Sequence, residues 1–439
     1  MTQNPENNTL ASRLMPQKFG ALGKAWVITL IIICAVGLYA YYTQLVNGLE
    51  VTGMRDYTSW GIYISNFVFF VAISLVGSLI SAILKLTNVP WRTPLTRLSE
   101  IVAVSAIIFA SISIVVDMGR PDRIFNLFLY GRIQSPIVWD VIVITTYLAI
   151  SVLLLLIPLI PDMVICKKEL GNVPNWLKKI YSLLSFNWKG TKEQFGIIHK
   201  STKILAILII PVALSIHTVT SWLFATTMRP GWDSTNFGAY FVSGAFVVGA
   251  AAVIAFMYAI RRQYNLKDVI TEMHFDKMGK LLVMLSFVYL YFTVNEYFTP
   301  AFKMKKNEVH HLHSLFAGEY APMFWITILG GMVIPSIIML FKSGRKPRMM
   351  FVLAVIVIIG AWFKRYLIVI PTLLSTYFPI QRVPDLWKSY SPTWEEWSIT
   401  IATLAGSLLL ITIMVRYIPA IPIWEMQEEE NKSLKSEES

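Results

Sequence analysis

Residues 62–84 read IYISNFVFFVAISLVGSLISAIL, and this stretch decides the fold. It contains no charged side chain, and its polar residues are one asparagine, one tyrosine and four serines. A bilayer core of about 30 Å is crossed by about 20 apolar residues in a helix, so the stretch predicts a transmembrane helix. Of the 439 residues of the chain, 55% are hydrophobic and 15% are charged. Soluble domains carry about 25% charged residues, so the composition excludes soluble, disordered and fibrous proteins.

Nine further stretches share this length and apolar character, which predicts an all-α polytopic membrane protein with about ten transmembrane helices. The first stretch is too long for the apolar part of a signal peptide, and no cleavage site follows it. The third and seventh stretches each carry an acidic residue near one end, Asp117 and Glu296. The ten stretches lie at about 25–45, 62–84, 98–117, 137–160, 202–226, 238–260, 280–299, 321–341, 350–370 and 398–418.

The lysine and arginine residues predict the orientation, because cytoplasmic loops of membrane proteins are enriched in both. The chain has 38 of them against 26 acidic residues, a net charge of +12. With a cytoplasmic N-terminus, 25 of the 38 fall on the cytoplasmic side and 10 on the other side. We therefore expect both termini to be cytoplasmic, in the inner membrane of a bacterium. Residues 1–24 and 425–439 would form polar tails, and the amphipathic stretch from Trp176 to Trp188 would lie on the cytoplasmic surface.

Two pairs of motifs indicate a weak internal repeat. The start of span two, Trp60–Tyr63, resembles the start of span six, Phe237–Tyr240, and Ser135–Trp139 of span four resembles Ala321–Trp325 of span eight. Four spans separate the partners, so the two copies would have the same orientation. Chance is the alternative explanation, because aromatic residues and proline are common at membrane interfaces. The predicted units are a bundle at 61–226, a bundle at 238–370, and flanking helices at 25–45 and 398–418.

Ionisable residues inside spans are costly and therefore indicate function. Asp117 ends span three, Asp140 lies in the first turn of span four, and His217 lies about four turns into span five. All three are expected near the non-cytoplasmic face, where the two carboxylates could share one cavity. The structural alternatives are an end cap paired with Arg120 or Arg123 for Asp117, a charge at a helix N-terminus for Asp140, and a packing residue for His217.

Span nine carries two adjacent cations, Lys364 and Arg365, which either snorkel toward the outer face or pair with Glu296. Glu296 is the repeat counterpart of Asp117, but span eight has Ile326 where span four has Asp140. The polar set is complete only in the first bundle, which predicts a single site.

Polar residues of span two recur at helical spacing on one face. Asn66, Ser74 and Ser78 share this face with the aromatic residues Tyr63 and Phe70. Such residues either pack helices together through small polar groups or form one wall of a cavity.

The sequence shows no electron carrier of its own. His217 has no second intramembrane histidine for a haem, and Cys34 and Cys166 are too few for an iron–sulfur cluster. His310, His311 and His313 lack a fourth ligand at zinc spacing, so we expect a solvated loop there and no metal site.

Several motifs, taken together and in their order along the chain, resemble those of the NrfD/PsrC-like membrane subunits of polysulfide reductase and related complexes. The ten-span form is similar to quinol-oxidising subunits of alternative complex III and of sulfur- and sulfate-reducing complexes. The matching stretches are 60–69, 119–123, 135–140, 215–219, 229–232, 295–297 and 321–325.

The resemblance implies a quinone or quinol site near the outer face, with menaquinone as the expected quinone, and no cofactor in this subunit. Electrons would pass to or from a ferredoxin-like iron–sulfur subunit docked outside, often with a molybdopterin or multihaem cytochrome partner. Asp117 and Asp140 would carry protons and His217 would be a third polar ligand. The expected binding residues are Tyr63, Asn66, Arg120 and Trp139, and the expected proton path uses Glu296 and Lys364.

Two other functions remain open at this point. A secondary transporter fits parallel repeats and intramembrane charges, but its site would use helices that glycine or proline breaks at mid-span. Here glycine and proline cluster mostly at span ends, with Pro211 and Pro335 as exceptions. A proton-conducting protein with a relay through Asp117, Glu296 and Lys364 could coexist with the quinone function. The direction of electron flow stays open.

Overall fold

The computed structural model describes residues 13–14, 19–89, 91–169, 175–378 and 381–429. Within these residues the chain is helical and contains no β-strand. Ten of its helices are long and apolar enough to cross a membrane, which confirms the predicted all-α polytopic fold. Parts of the two predicted terminal tails, 1–12, 15–18 and 430–439, lie outside the described residues.

We number the helices in chain order, and the spanning ones are α1–α3, α5, α8–α10 and α12–α14. Their bounds are α1 Ala21–Asn47, α2 Ile62–Thr87, α3 Thr93–Asp117, α4 Asn126–Tyr130, α5 Pro136–Leu156, α6 Ile160–Glu169, α7 Asn175–Leu184, α8 Lys192–Ala225, α9 Phe237–Gln263, α10 Glu272–Lys303, α11 Lys306–Phe316, α12 Ala321–Leu340, α13 Pro347–Leu374 and α14 Trp394–Tyr417.

The starts of several helices follow from local sequence chemistry. Pro136 and Pro347 lie in the first turns of α5 and α13, where the missing N–H of proline costs nothing. Thr191 and Thr393 cap α8 and α14, because each side chain accepts a hydrogen bond from a backbone N–H three residues later.

The spanning helices form two groups, which we call the first bundle (α2, α3, α5, α8) and the second bundle (α9, α10, α12, α13). In the first bundle α2 packs on α3 and α8, and α5 packs on the same two helices. In the second bundle α9 packs on α10 and α13, and α12 packs on the same two helices. Contacts of α9 with α2 and α8 join the bundles. The repeat relation between them stays a prediction.

Helices α1 and α14 lie against each other, outside both bundles. In its most apolar window α1 is 11% buried, whereas α2 is 89% buried. The apolar, exposed surface of α1 is suited to contact with lipid, and α2 is enclosed by protein on all sides.

Hydrogen bonds between helix ends identify one side of the molecule. They join the end of α1 to the start of α2, the start of α5 to the end of α8, and the end of α10 to the segment before α9. Because α3 ends at Asp117 on this side, we call it the Asp117 side. The predicted amphipathic stretch forms α7 on the other side, where the Tyr181 hydroxyl donates to the Tyr417 carbonyl at 2.8 Å.

Helix α12 is irregular at its centre. Residues Ile326–Val333 have π-helical hydrogen bonding, a conformation often found at functional sites. Gly331 in this stretch lies against Gly360 of α13, and a Cβ on Gly331 would come within 2.8 Å of the Gly360 Cα. The close approach of α12 to α13 therefore depends on glycine at this point.

Candidate functional site

A polar cluster on the Asp117 side joins four helices. The Gln44 side chain of α1 donates to the Val116 carbonyl of α3 at 2.8 Å and accepts from the Tyr63 hydroxyl of α2 at 2.7 Å. Glu396 of α14 is fully buried and accepts hydrogen bonds from the Tyr390 hydroxyl at 2.6 Å and the Gly53 N–H at 2.7 Å. These bonds fix the relative positions of the ends of α1, α2, α3 and α14.

Asp117 lies in this cluster without a hydrogen-bond partner at one oxygen. Its Oδ1 atom is buried and makes no hydrogen bond to the described part of the chain. The carboxyl lies within electrostatic range of Glu396 and Tyr63. The predicted cap with Arg120 is wrong, because the exposed Arg120 guanidinium pairs with Asp122 at 3.3 Å.

A second polar cluster links α5 to α8. Asp140 is buried and accepts a hydrogen bond from the Thr220 hydroxyl at 2.7 Å. One turn earlier on α8, His217 is fully buried, and neither ring nitrogen has a hydrogen-bond partner among the described residues. The imidazole lies 5.9 Å from the Phe241 ring of α9, measured between centroids. The hydrogen bond to the Asp140 carboxylate therefore comes from the neighbouring helix α8, and not from the N-terminus of α5.

Asp117 and Asp140 have separate surroundings, although α3 and α5 are neighbours. The groups within electrostatic range of Asp117 belong to α2 and α14, whereas the hydrogen-bond donor to Asp140 belongs to α8. The shared cavity stays a prediction. Trp139 is half-buried, and its indole donates to the Ile133 carbonyl beside Trp222 of α8.

The polar residues of α2 bind other helices. Asn66 accepts from the Trp362 indole at 2.8 Å and donates to the Thr400 hydroxyl at 2.9 Å, which ties α2 to α13 and α14. Ser74 and Ser78 both hydrogen-bond to α5, through Tyr147 in each case. Ser74 and Ser78 therefore pack helices together, which is the first of the two interpretations of this polar face.

The second bundle buries two cations. Lys364 and Arg365 are 3% and 2% exposed, so the expectation that they snorkel is wrong. Helix α13 packs between α9 and α12, and a lysine stem of about four carbons cannot reach water from there. Lys364 Nζ donates to the Tyr297 hydroxyl and lies 5.0 Å from the centroid of Phe324.

Glu296 is held by the segment before α9 and not directly by Lys364. Its carboxylate accepts from the Ser234 hydroxyl at 2.8 Å and the Asn236 amide at 2.9 Å. Lys364 lies within electrostatic range of this carboxylate, and its direct partner is Tyr297. Lys364 and Glu296 therefore interact electrostatically, without the direct ion pair that the sequence suggested.

Two cavities flank these cations. One, of about 20 Å³, is lined by Lys364, Arg365 and Tyr289 together with the π-helical part of α12. The other, of about 30 Å³, lies nearer the Asp117 side and is lined by Glu296, Tyr297 and other residues. Its remaining polar lining residues are Tyr240, Glu308, His311 and Thr372.

His311 was expected in a solvated loop, and this expectation is wrong. It lies on α11, is 5% exposed, and its Nδ1 is 3.4 Å from the Ser375 hydroxyl. Burial lowers the pKa of His311 to about 4. The described residues include no group of three histidine, cysteine or acidic side chains placed to hold a metal ion.

Sequence reasoning missed three residues of the polar cluster around Asp117, namely Gln44, Tyr390 and Glu396. Gln44 stands in an apolar run, and nothing in the sequence links it to Tyr63. Glu396 had a visible signal, because Thr393 and Glu396 form the T-x-x-E pattern of a helix cap. The same carboxylate caps α14 and closes the Asp117 cluster.

Comparison with known proteins assigns the chain to a family. The family model for polysulphide reductase, NrfD, matches residues 50–376. The chain belongs to the NrfD family. The matched segment contains both bundles and stops short of α1 and α14, so Gln44 and Glu396 lie outside it.

Relatives match over nearly the whole length of the NrfD-family chain. A "Putative dimethyl sulfoxide reductase membrane subunit" of Halobacterium salinarum is 28% identical, covering 94% of this chain and 95% of the relative. A selenate reductase subunit of Mesobacillus selenatarsenatis is 24% identical, covering 91% and 94%. The "Menaquinone reductase, integral membrane subunit" of Nitratidesulfovibrio vulgaris is 23% identical, covering 90% and 91%. The chain is thus similar to integral membrane subunits of multi-subunit reductases.

Proposed function

We propose that this NrfD-family protein is the quinone-reactive membrane subunit of a multi-subunit respiratory oxidoreductase. It would exchange electrons between a membrane quinone, with menaquinone expected, and an iron–sulfur subunit docked on the Asp117 side. A molybdopterin or multihaem subunit would complete the complex. We further propose that the Asp117 side is extracytoplasmic, that both termini are cytoplasmic and that the membrane is the cytoplasmic membrane. The relatives' names support the quinone, and the lysine and arginine distribution supports the orientation.

One observation carries the proposal. Asp117 Oδ1 and both ring nitrogens of His217 are buried near the same ends of α3, α5 and α8, and none has a hydrogen-bond partner in the described residues. Buried polar atoms without a protein partner generally bind water or a ligand. The hydroxyl groups of a quinol are donors, which the Asp117 carboxylate and one ring nitrogen of the neutral His217 imidazole can accept. The other ring nitrogen carries a proton and is a donor.

The chemistry follows from these residue types. Oxidation of one quinol gives one quinone, two protons and two electrons. The electrons would leave to the iron–sulfur partner, and the protons would pass to Asp117, Asp140 or His217 as bases within hydrogen-bonding distance. Trp139 would lie against the ring, whereas Tyr63 and Asn66, which are hydrogen-bonded to other helices, would hold the helices around the site. Arg120 is exposed and paired with Asp122, so we place it at the rim of the site.

Glu296 and Lys364 would carry protons away from the site. The ammonium of Lys364, the Tyr297 hydroxyl and the cavity lined by Glu296 are consecutive polar groups that lead toward the Asp117 side. A secondary transporter is the alternative, but Pro211 lies inside the continuous helix α8, and the similar proteins are named as subunits of reductases.

Asp140 gives the direct test of the proposed function. In Asp140→Asn we expect quinol-linked electron transfer to fall by a factor of about 100 or more, because the amide cannot take up the quinol proton. The measurement is stopped-flow reduction of the partner's iron–sulfur centres by menadiol in the purified, assembled complex. Asp122→Asn, an exposed aspartate on the same side, is the matched control and should react at the wild-type rate. A wild-type rate in assembled Asp140→Asn would remove Asp140 from the mechanism.

A further inference from the structure

Two buried side chains between the bundles have polar atoms without a hydrogen-bond partner in the described part of the chain. His217 is 0% exposed and Arg365 is 2% exposed. Both ring nitrogens of His217 and Nη1 of Arg365 make no hydrogen bond to any described residue. A buried polar atom without a partner is rare in native proteins and is usually satisfied by an ordered water or a ligand.

These side chains meet at Phe241, where the two bundles join. His217 belongs to α8 of the first bundle, Arg365 to α13 of the second, and Phe241 to α9 between them. The Arg365 Cζ lies 4.9 Å from the centroid of the Phe241 ring, and Arg365 Nη2 donates to the Phe241 carbonyl at 3.5 Å. The imidazole lies 5.9 Å from the same ring and within electrostatic range of the guanidinium.

Polar groups continue from this junction in both directions. On one side, His217 is one turn from Thr220, whose hydroxyl donates to Asp140. On the other side, Arg365 and Lys364 line the cavity of about 20 Å³, which has room for water. The junction therefore lies between the proposed quinone site and the proposed proton path, which otherwise belong to different bundles.

We infer that ordered water bridges the His217 imidazole and the Arg365 guanidinium, and that Arg365 is a positioning residue for proton transfer from the first bundle to the second. This inference rests on the proposed function. When quinol is oxidised, the two electrons leave to the iron–sulfur partner, and one of the two protons passes to Asp117 or Asp140. The other passes from a quinol hydroxyl to one ring nitrogen of His217, whose second ring nitrogen gives a proton to the bridging water. Water in the cavity beside Lys364 would then carry this proton to the Glu296 carboxylate, which becomes a carboxylic acid. Arg365 carries no proton itself, because a guanidinium stays charged in proteins. Its free N–H groups donate to the water oxygen and hold the water in line with the imidazole.

The test uses the assembled complex, with menadiol as reductant and the partner's iron–sulfur centres as acceptor. In Arg365→Met, reduction should slow about tenfold, less than the hundredfold typical of losing a direct acid–base group, and the solvent isotope effect in D₂O should increase. His217→Gln removes the group that takes the quinol proton, so reduction should slow about a hundredfold, and the solvent isotope effect should also increase. The double variant should be no slower than the slower single variant, because both changes interrupt one step. Arg365→Lys keeps the charge and should recover part of the rate.

Arg416→Met is the matched control, because Arg416 also lies over an aromatic ring, that of Tyr417, on the opposite side of the molecule. It should keep the wild-type rate and isotope effect. Wild-type rates in Arg365→Met and His217→Gln, or rate losses that multiply in the double variant, would overturn the inference while leaving the proposed function intact. If the wild-type complex does not accept electrons from menadiol, the proposed function and the inference both fail. If Arg365→Met does not assemble, Arg365→Lys and His217→Gln form the same cycle.

Discussion

In the half of the molecule nearer the Asp117 side, the two bundles bury ionisable side chains of opposite kinds. The first bundle holds Asp140, which accepts a hydrogen bond, together with Asp117 and His217, which have buried atoms without a hydrogen-bond partner among the described residues. The second bundle holds Lys364 and Arg365, which donate, beside two cavities. Its buried carboxylate, Glu296, is already hydrogen-bonded. The difference suggests a division of labour in which the first bundle binds quinol and the second conducts protons.

The largest effects are expected at Asp140, as described above, and at Asp117. Asp117→Asn should slow menadiol-driven reduction of the iron–sulfur centres about a hundredfold, because the unpartnered carboxylate would lose its capacity as a base. Asp117→Glu should keep part of the rate. If Asp117→Asn reacts at the wild-type rate, the cluster around Gln44, Tyr63 and Glu396 is structural, and the first bundle loses one of its three proposed acceptors.

A smaller effect, of a different kind, is expected at Lys364. Lys364→Met should lower the limiting rate of electron transfer about tenfold and leave the KM for menadiol unchanged, because the side chain would move protons without touching the quinol. Lys342→Met, an exposed lysine on the opposite side, is the control. A large rise in KM for Lys364→Met would mean that the second bundle contacts the quinol, and the division between bundles would be wrong.

The smallest effect concerns stability at low pH. The pKa of His311 is about 4 in the folded chain because of burial, below its ordinary value near 6.5. Between these values the unfolded chain takes up a proton that the folded chain refuses, so stability falls as the pH falls through this range. At about 1.4 kcal/mol per pH unit, the loss reaches about 2 kcal/mol by pH 5.

The melting temperature of the detergent-solubilised complex should therefore drop by several degrees from pH 7 to pH 5. His311→Gln should reduce this drop, whereas His313→Gln, at an exposed neighbour, should not. An equal drop in His311→Gln and wild type would show that the ring is accessible to protons in the folded protein.

The sequence predicts well where the spanning helices lie along the chain, and it predicts poorly which neighbouring helix each side chain faces. Ten apolar stretches suffice to identify ten helices, because a bilayer requires that length and composition. The burial of Lys364 and Arg365 could not be predicted, because it depends on α13 lying between α9 and α12. For the same reason the sequence placed Asp117 and Asp140 at one depth but did not determine that they face α14 and α8, respectively. Gln44 and Glu396 were missed because they lie in the flanking helices, which the repeat pattern does not include.

Photolabelling tests the central claim most directly. An azido-naphthoquinone would be cross-linked to the assembled complex in membranes, with and without excess menaquinone, and the labelled peptides mapped by mass spectrometry. Our account predicts labels on α3, α5 or α8, near Asp117, Asp140 or His217, and their loss in the presence of menaquinone. Labels confined to α10, α12 or α13, or labelling that menaquinone does not displace, would contradict it.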